Sequence, residues 1–228
     1  IEDYANQDSE LLLFNNIWNV ISLFPTKNFA NSLSNLFTFA LEAIQVLLNR
    51  INDMKSNSED ASKLNNTPFV ILKPYHIYMI DFISQVMKIQ TSLLTVSVQA
   101  SLKEIFNQII DTFPNSTHVI SSIFRIVKSS LVSIEFGKKF IESLMPKLIQ
   151  LAKQETRNAA AAAATHFLAD LDKTKSASMA INRMLNNNEQ YMDFYDTYFK
   201  HYLEDAYTPY GGPVFRFIES EKLKFKKQ

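Results

Sequence analysis

The stretch SELLLFNNIWNVISLF, residues 9–24, carries the spacing that decides the fold. Its large apolar side chains recur every three or four residues, at Leu11, Phe14, Ile17, Trp18, Ile21 and Phe24. An α-helix has 3.6 residues per turn, so this spacing predicts an amphipathic helix. Asp8 or Ser9 can cap its start, and Pro25 is expected to end it.

The same period continues through most of the chain and predicts about ten helices. After the first, they are expected near residues 28–50, 74–90, 92–113, 117–131, 134–152, 153–171, 177–185, 189–204 and 214–227. Pro146 lies inside one of them, and a proline in a helix interior removes a hydrogen bond and clashes with the preceding turn. We therefore expect that helix to be kinked or split.

Glycine is scarce, with three in 228 residues, where about 7% is usual. Hairpin turns and phosphate-binding loops need positive φ angles, which glycine adopts at least cost. The scarcity favours an all-α fold. Helix pairs recur at roughly 40 residues, the spacing of HEAT or armadillo repeats, which predicts an α-solenoid; a compact bundle is the alternative.

The domain organisation follows from composition. A helical-repeat domain is expected over 1–212, with a mobile polar loop at 53–68, and a basic helix or tail over 213–228. The four lysines of this tail are either solvated or in contact with acidic protein, RNA or lipid headgroups.

Six successive alanines, Ala159–Ala164, form the most biased stretch of the chain. Alanine has the best helix propensity, so the run is predicted to be helical. Small side chains allow two helix axes to approach closely. We expect one face of the run to pack against a neighbour, with His166 and Phe167 near that seam; an exposed low-complexity helix is the alternative.

Several function classes find no support in the residues. Lys+Arg and Asp+Glu are equal at 23 each, and cysteine is absent, so charge does not predict nucleic acid binding and no thiolate site can form. The four histidines lack zinc-site spacing, and no catalytic or nucleotide motif occurs. We expect no enzyme, no metal or cofactor, no membrane span and no signal peptide, and an intracellular protein, cytoplasmic or nuclear.

Aromatic side chains are dense between residues 191 and 210, at Tyr191, Phe194, Tyr195, Tyr198, Phe199, Tyr202, Tyr207 and Tyr210. Tyrosine is enriched in protein interfaces, because it offers contact area and a hydroxyl group at low entropic cost. Core packing explains the same run, and both interpretations stay open.

Residues 30–212 resemble, in order, the SAPS domain of the regulatory subunits of protein phosphatase 6. The stretch FPNSTH, residues 113–118, resembles the family's motif F-F-x-Y-x-W-N-N-F-L-H, with Phe113 in place of the tryptophan and with Asn115 and His118 matching. His166 matches a histidine of a later segment whose glycines are absent here. Tyr191, Phe194 and Phe199 keep the spacing of the segment that closes the domain.

The resemblance implies a non-catalytic scaffold that binds a Ser/Thr protein phosphatase catalytic subunit and its substrates. It implies partner contacts at Phe113, Asn115, His118, His166, Tyr191, Phe194 and Phe199. The alternative is a helical-repeat scaffold subunit of another assembly, for transport, trafficking or RNA processing.

Overall fold

The computed structural model describes residues 2–23, 25, 30–56, 72–154 and 158–207. Within these ranges it contains helices and no strand, so the all-α prediction is confirmed. The helices are α1 (Glu2–Leu23), α2 (Ala30–Ser56), α3 (Pro74–Ile89), α4 (Val96–Thr112), α5 (Thr117–Ser130), α6 (Ile134–Ala152), α7 (Ala159–Thr174), α8 (Met179–Asn186) and α9. Helix α9 starts as Glu189–Phe194, passes through a π-helical segment, Tyr195–Phe199, and ends as Lys200–Tyr207.

The main contacts of each helix are with helices that are close in the chain. Helix α1 packs on α3, α3 on α5 and α5 on α7, which makes one row. Helix α2 packs on α4, α4 on α6 and α6 on α8, which makes a second row. Contacts between α2 and α3, and between consecutive helices from α4 and α5 onward, join the rows, and α9 packs on α6 and α8. The apolar core therefore extends along the whole described chain.

Small residues let the central helices approach each other closely. The hydroxyl groups of Ser84 in α3 and Ser129 in α5 are buried and share a hydrogen bond of 2.9 Å. A Cβ atom on Gly137 of α6 would lie 2.6 Å from the carbonyl oxygen of Ser130. Such a distance is shorter than van der Waals contact, so glycine is what permits α6 to follow α5 so tightly.

The alanine run is helical and packed, as predicted. The Asn158 side chain caps α7 by accepting from the Ala161 N–H at 2.8 Å. The Ala160 N–H donates to the carbonyl of Pro114 at 2.9 Å, which fixes the start of α7 to the turn between α4 and α5. The buried face carries Ala160, Ala161, Ala164 and Phe167. His166 is exposed, so its predicted place at this seam is wrong.

Some expected boundaries differ from the observed ones. Helix α2 continues to Ser56, so residues 53–56 of the expected loop are helical, while the rest of that loop and the 213–228 tail lie outside the described residues. Helix α4 starts only at Val96, because the Thr95 side chain caps it after a short 3-10 turn. Helix α6 runs unbroken through Pro146, so it is not split.

Candidate protein-binding site

A groove of about 610 Å³ lies between α1, α2 and the start of α3, and we call it the α1–α3 groove. Its apolar lining comes from Phe14, Phe39, Ala43, Val46, Leu47, Tyr75 and Met79. Its polar lining comes from Glu42, Arg50, Lys73 and His76. Binding sites for small molecules or side-chain clusters are typically concave, mostly apolar and of this size.

Aromatic contacts and one hydrogen bond hold the walls of the groove in place. The Tyr75 N–H at the start of α3 donates to the Asn15 side chain in α1 at 2.9 Å. The Phe14 and Tyr75 rings meet edge to face, with centroids 4.9 Å apart. Trp18 stacks on Phe39 of α2 at 6.0 Å. Helix α1 is therefore fixed to both other helices, and the space between these contacts stays open.

His76 is one of two titratable rings in the wall of the groove, beside Tyr75. It is buried, and its Nδ1 accepts a hydrogen bond from the Lys73 N–H at 3.0 Å. Burial lowers the pKa of His76 to about 4, because the charged ring would lose its hydration. The ring is neutral at pH 7, so the charges around the groove come from Arg50, Lys73 and Glu42.

The chemistry of this lining suits binding rather than catalysis. The Nδ1 atom of His76 is already occupied as an acceptor, and the neighbouring carboxylate, Glu42, is exposed to solvent. Two cations against one anion favour a ligand with a negative group beside its apolar part. An amphipathic helix with an acidic residue next to its apolar face meets both requirements.

Five large apolar side chains lie exposed on the side of α1 turned away from α3, and we call this the outer face of α1. Their exposed fractions are Leu12 61%, Leu13 61%, Ile17 45%, Val20 57% and Leu23 65%. The opposite side buries Trp18 and packs Phe14 and Ile21 against the core. The spacing predicted one apolar face that included Ile17, but Ile17 lies on the outer face. Leu12, Leu13 and Val20, all within residues 9–24, indicate this second face.

Four of the residues that the resemblance assigns to partner contacts are core residues in this fold. Phe113 is 5% exposed, Tyr191 1%, and Phe194 and Phe199 0%. Their rings are buried, which supports core packing for Tyr191, Phe194 and Phe199, whereas Tyr198 of the same run is 41% exposed.

The other three residues implied by the resemblance, Asn115, His118 and His166, are exposed. Asn115 and His118 lie at the turn into α5. His166 lies on α7, with its Nδ1 3.3 Å from a carboxylate oxygen of Asp170. These three remain available to a partner.

The aromatic cluster of α9 is tied to α7 by a polar network. The Tyr191 hydroxyl donates to Asp172 at 3.2 Å, and Lys175 Nζ lies 2.6 Å from the same carboxylate oxygen. Lys175 Nζ also lies 4.5 Å from the centre of the Tyr195 ring. Burial, and then the negative charge of Asp172, raise the pKa of Tyr191. The network satisfies its own members, so we assign it a structural role.

Within the described ranges, no three His, Asp or Glu side chains are grouped so that they could hold a metal ion. The same ranges contain no helix that is both long enough and apolar enough to cross a membrane.

Comparison with known proteins adds no relative. No family model matches the chain, and neither a curated protein nor a solved structure matches it.

Proposed function

We propose that this chain is a non-catalytic scaffold, built as a HEAT/armadillo-like α-solenoid, that binds a protein partner. The observation that supports it most directly is the contact pattern, in which two rows of helices touch mainly their near neighbours in the chain. Solenoids are built in this way, and they offer an extended surface for partners without any catalytic chemistry.

The α1–α3 groove is the docking site in this proposal, and its occupant is an amphipathic helix of the partner. Apolar side chains of that helix would contact Phe39, Ala43 and Val46, and an acidic residue would face Arg50 and Lys73. The exposed fractions of Phe39, 49%, and Val46, 64%, support this, because large apolar groups at the rim of a groove gain the most from being covered.

From the resemblance to the SAPS domain, we infer that the partner is a Ser/Thr protein phosphatase catalytic subunit. The alternative is a scaffold subunit of another assembly, which would use the same groove. Asn115, His118 and His166 would supply further contacts under the phosphatase hypothesis, since they are the exposed members of the resemblance.

A pull-down with matched variants tests both parts of the proposal. Val46→Glu places a charge at the rim of the groove, and Val96→Glu makes the same change at a residue that is 80% exposed on α4. We expect partners that bind the wild type and Val96→Glu to be lost with Val46→Glu, because a carboxylate would have to be buried on binding.

Mass spectrometry of the captured proteins separates the two identities. A phosphatase catalytic subunit lost only with Val46→Glu supports the SAPS-type hypothesis, and subunits of a different assembly with the same dependence support the alternative. Partners that bind Val46→Glu as well as the wild type would rule out the groove. Phosphate-ester hydrolysis by the purified chain would contradict the non-catalytic role.

A further inference from the structure

Helix α1 is apolar on two opposite sides, and the fold covers only one of them. At 100° per residue, the five residues of its outer face fall within a sector of about 140°, roughly opposite Trp18. A surface helix normally turns a polar side to water. An exposed apolar stripe of this size marks an interaction site.

The charge of α1 is distributed unevenly along its length. Glu2, Asp3, Asp8 and Glu10 occupy its first half, and Glu2–Leu23 contains no Lys or Arg. The apolar stripe occupies the second half, from Leu12 to Leu23, with its midpoint near Ile17. Two parallel copies would bring like charges together, whereas two antiparallel copies would separate the acidic ends and overlay the two stripes.

The far end of the described chain shows a different surface. From residue 189 to residue 204, the exposed residues of α9 are Glu189, Gln190, Asp193, Asp196, Thr197, Tyr198, Lys200, His201 and Glu204. Packing α1 of one copy on α9 of the next would cover leucines with charged groups. A contact that uses the same face of α1 twice avoids this mismatch, and it closes on itself around a two-fold axis.

We propose that the outer face of α1 is the contact surface of a homodimer, in which the α1 helices of two copies pack antiparallel across a two-fold axis near Ile17. Five side chains that expose roughly 100 Å² each would bury on the order of 1,000 Å² in total, at the lower limit for a specific interface. The dimer is therefore expected to be weak, with a dissociation constant in the micromolar range.

Sedimentation velocity of the full chain between about 1 and 200 μM tests the association. We expect the wild type to shift from monomer to dimer over this range. Val20→Glu should weaken dimerisation at least tenfold, because each copy would bury a carboxylate against leucine. Val96→Glu, the matched change on α4, should dimerise as the wild type does. A wild type that stays monomeric at 200 μM overturns the proposal, and so does a Val20→Glu dimer of unchanged affinity.

A second apolar group controls for head-to-tail association. Its members are Val132 in the turn between α5 and α6, 53% exposed, and the first residues of α6 and α8, Ile134 at 59% and Met179 at 70%. Met179→Glu should leave dimerisation unchanged. If it abolishes association, or if oligomers keep growing with concentration, the contact is not two-fold and the proposal is wrong.

Single cysteines test the antiparallel direction, since the chain has none of its own. Asn16→Cys lies beside the proposed axis, so oxidation should give a disulfide-linked dimer. Glu10→Cys lies far from its copy in an antiparallel pair and should not cross-link. Efficient cross-linking through Glu10→Cys alone would overturn the antiparallel arrangement.

Two readouts keep folding and partner binding separate from dimerisation. Helix content by circular dichroism must match the wild type in every variant; if Val20→Glu fails this control, Val20→Ser is used, with the same expected direction. Val46→Glu should lose the partner without any change in sedimentation, so the groove and the outer face of α1 can fail independently.

Discussion

The first and last helices of the described chain, α1 and α9, differ in how far their large apolar side chains are buried. Helix α9 is rich in aromatic residues, and Tyr191, Phe194 and Phe199 are all buried under a polar exterior. Helix α1 buries Trp18 but leaves three leucines more than 60% exposed. At the α9 end these large aromatic side chains are buried by packing within the chain. The α1 end has a groove and an exposed apolar face. Binding surfaces are therefore expected at the α1 end.

The largest expected effect comes from deleting a ring at each end. Phe194→Ala removes a fully buried ring that stacks on Phe199 with centroids 5.0 Å apart, and should cost about 3–5 kcal/mol of unfolding free energy. Phe39→Ala removes a ring that is 49% exposed and should cost about 1–2 kcal/mol. Urea denaturation measures both. Equal costs would mean that the α1 end is packed as tightly as the α9 end.

The second effect is a pH dependence located at the α1 end. The pKa of His76 is lowered to about 4 in the folded protein, and an unfolded histidine titrates near 6.5. The unfolded state therefore takes up a proton first as the pH falls. The contribution of His76 to the free energy of unfolding is therefore fully present above about pH 6.5. It declines as the pH falls toward 4, by about 3 kcal/mol in total.

His76→Gln removes the titration of residue 76 and keeps its hydrogen bond. A glutamine at the third helical position can still accept from the Lys73 N–H but does not titrate. The difference in unfolding free energy between wild type and variant should shrink steadily from pH 7 to pH 4.5. At the α9 end, burial raises the pKa of Tyr191, so this group stays neutral over the same range. A constant difference across these pH values would show that His76 does not titrate as proposed.

A third, smaller effect tests the close packing that supports the α9 end. Ala164 is fully buried on α7, whereas Ala162 is exposed in the same run. Ala164→Leu should overpack the seam and lower the unfolding free energy by about 1–3 kcal/mol. Ala162→Leu is the matched control and should be nearly neutral. Thermal melting of both variants measures the difference. Equal melting temperatures would mean that α7 is not closely packed at Ala164.

The smallest effect is expected from the ion pair between α5 and α7. Lys128 Nζ lies 2.9 Å from Asp170, and both side chains are at least 40% exposed. Pairs of this kind contribute less than about 1 kcal/mol. Lys128→Met should therefore leave the melting temperature nearly unchanged in 0.15 M salt. A large loss would mean that surface charge, rather than packing, supplies part of the stability of the contact between α5 and α7.

Local features of the sequence were enough to predict the helices and the packing of the alanine run. Periodicity predicted the helices because a repeat of 3.6 is a property of neighbouring residues alone. Ala159–Ala164 could be placed in a packed helix because both helix propensity and side-chain size can be read locally. The end of α2 was placed six residues early, because the polar composition of residues 53–56 resembles that of a loop.

The candidate site itself was not predicted from the sequence. Exposed Asn115 and His118 were named from the sequence, but the groove residues Val46 and Arg50 were not, since α2, α1 and α3 come together only in the folded chain. The second face of α1 was visible in the row of leucines from Leu11 to Leu13. Which of these leucines would be covered was not visible.

The sequence by itself therefore determined that the described part of the chain is helical and approximately where its helices lie, because these properties depend on the spacing of nearby side chains and on the scarcity of glycine. Only the tertiary structure decided which apolar faces are covered. Phe194 is buried and Leu13 is exposed, although both are large apolar residues in helices, because burial depends on which distant helix packs alongside. The same cause keeps His76 neutral, since its loss of hydration comes from the helices folded around it.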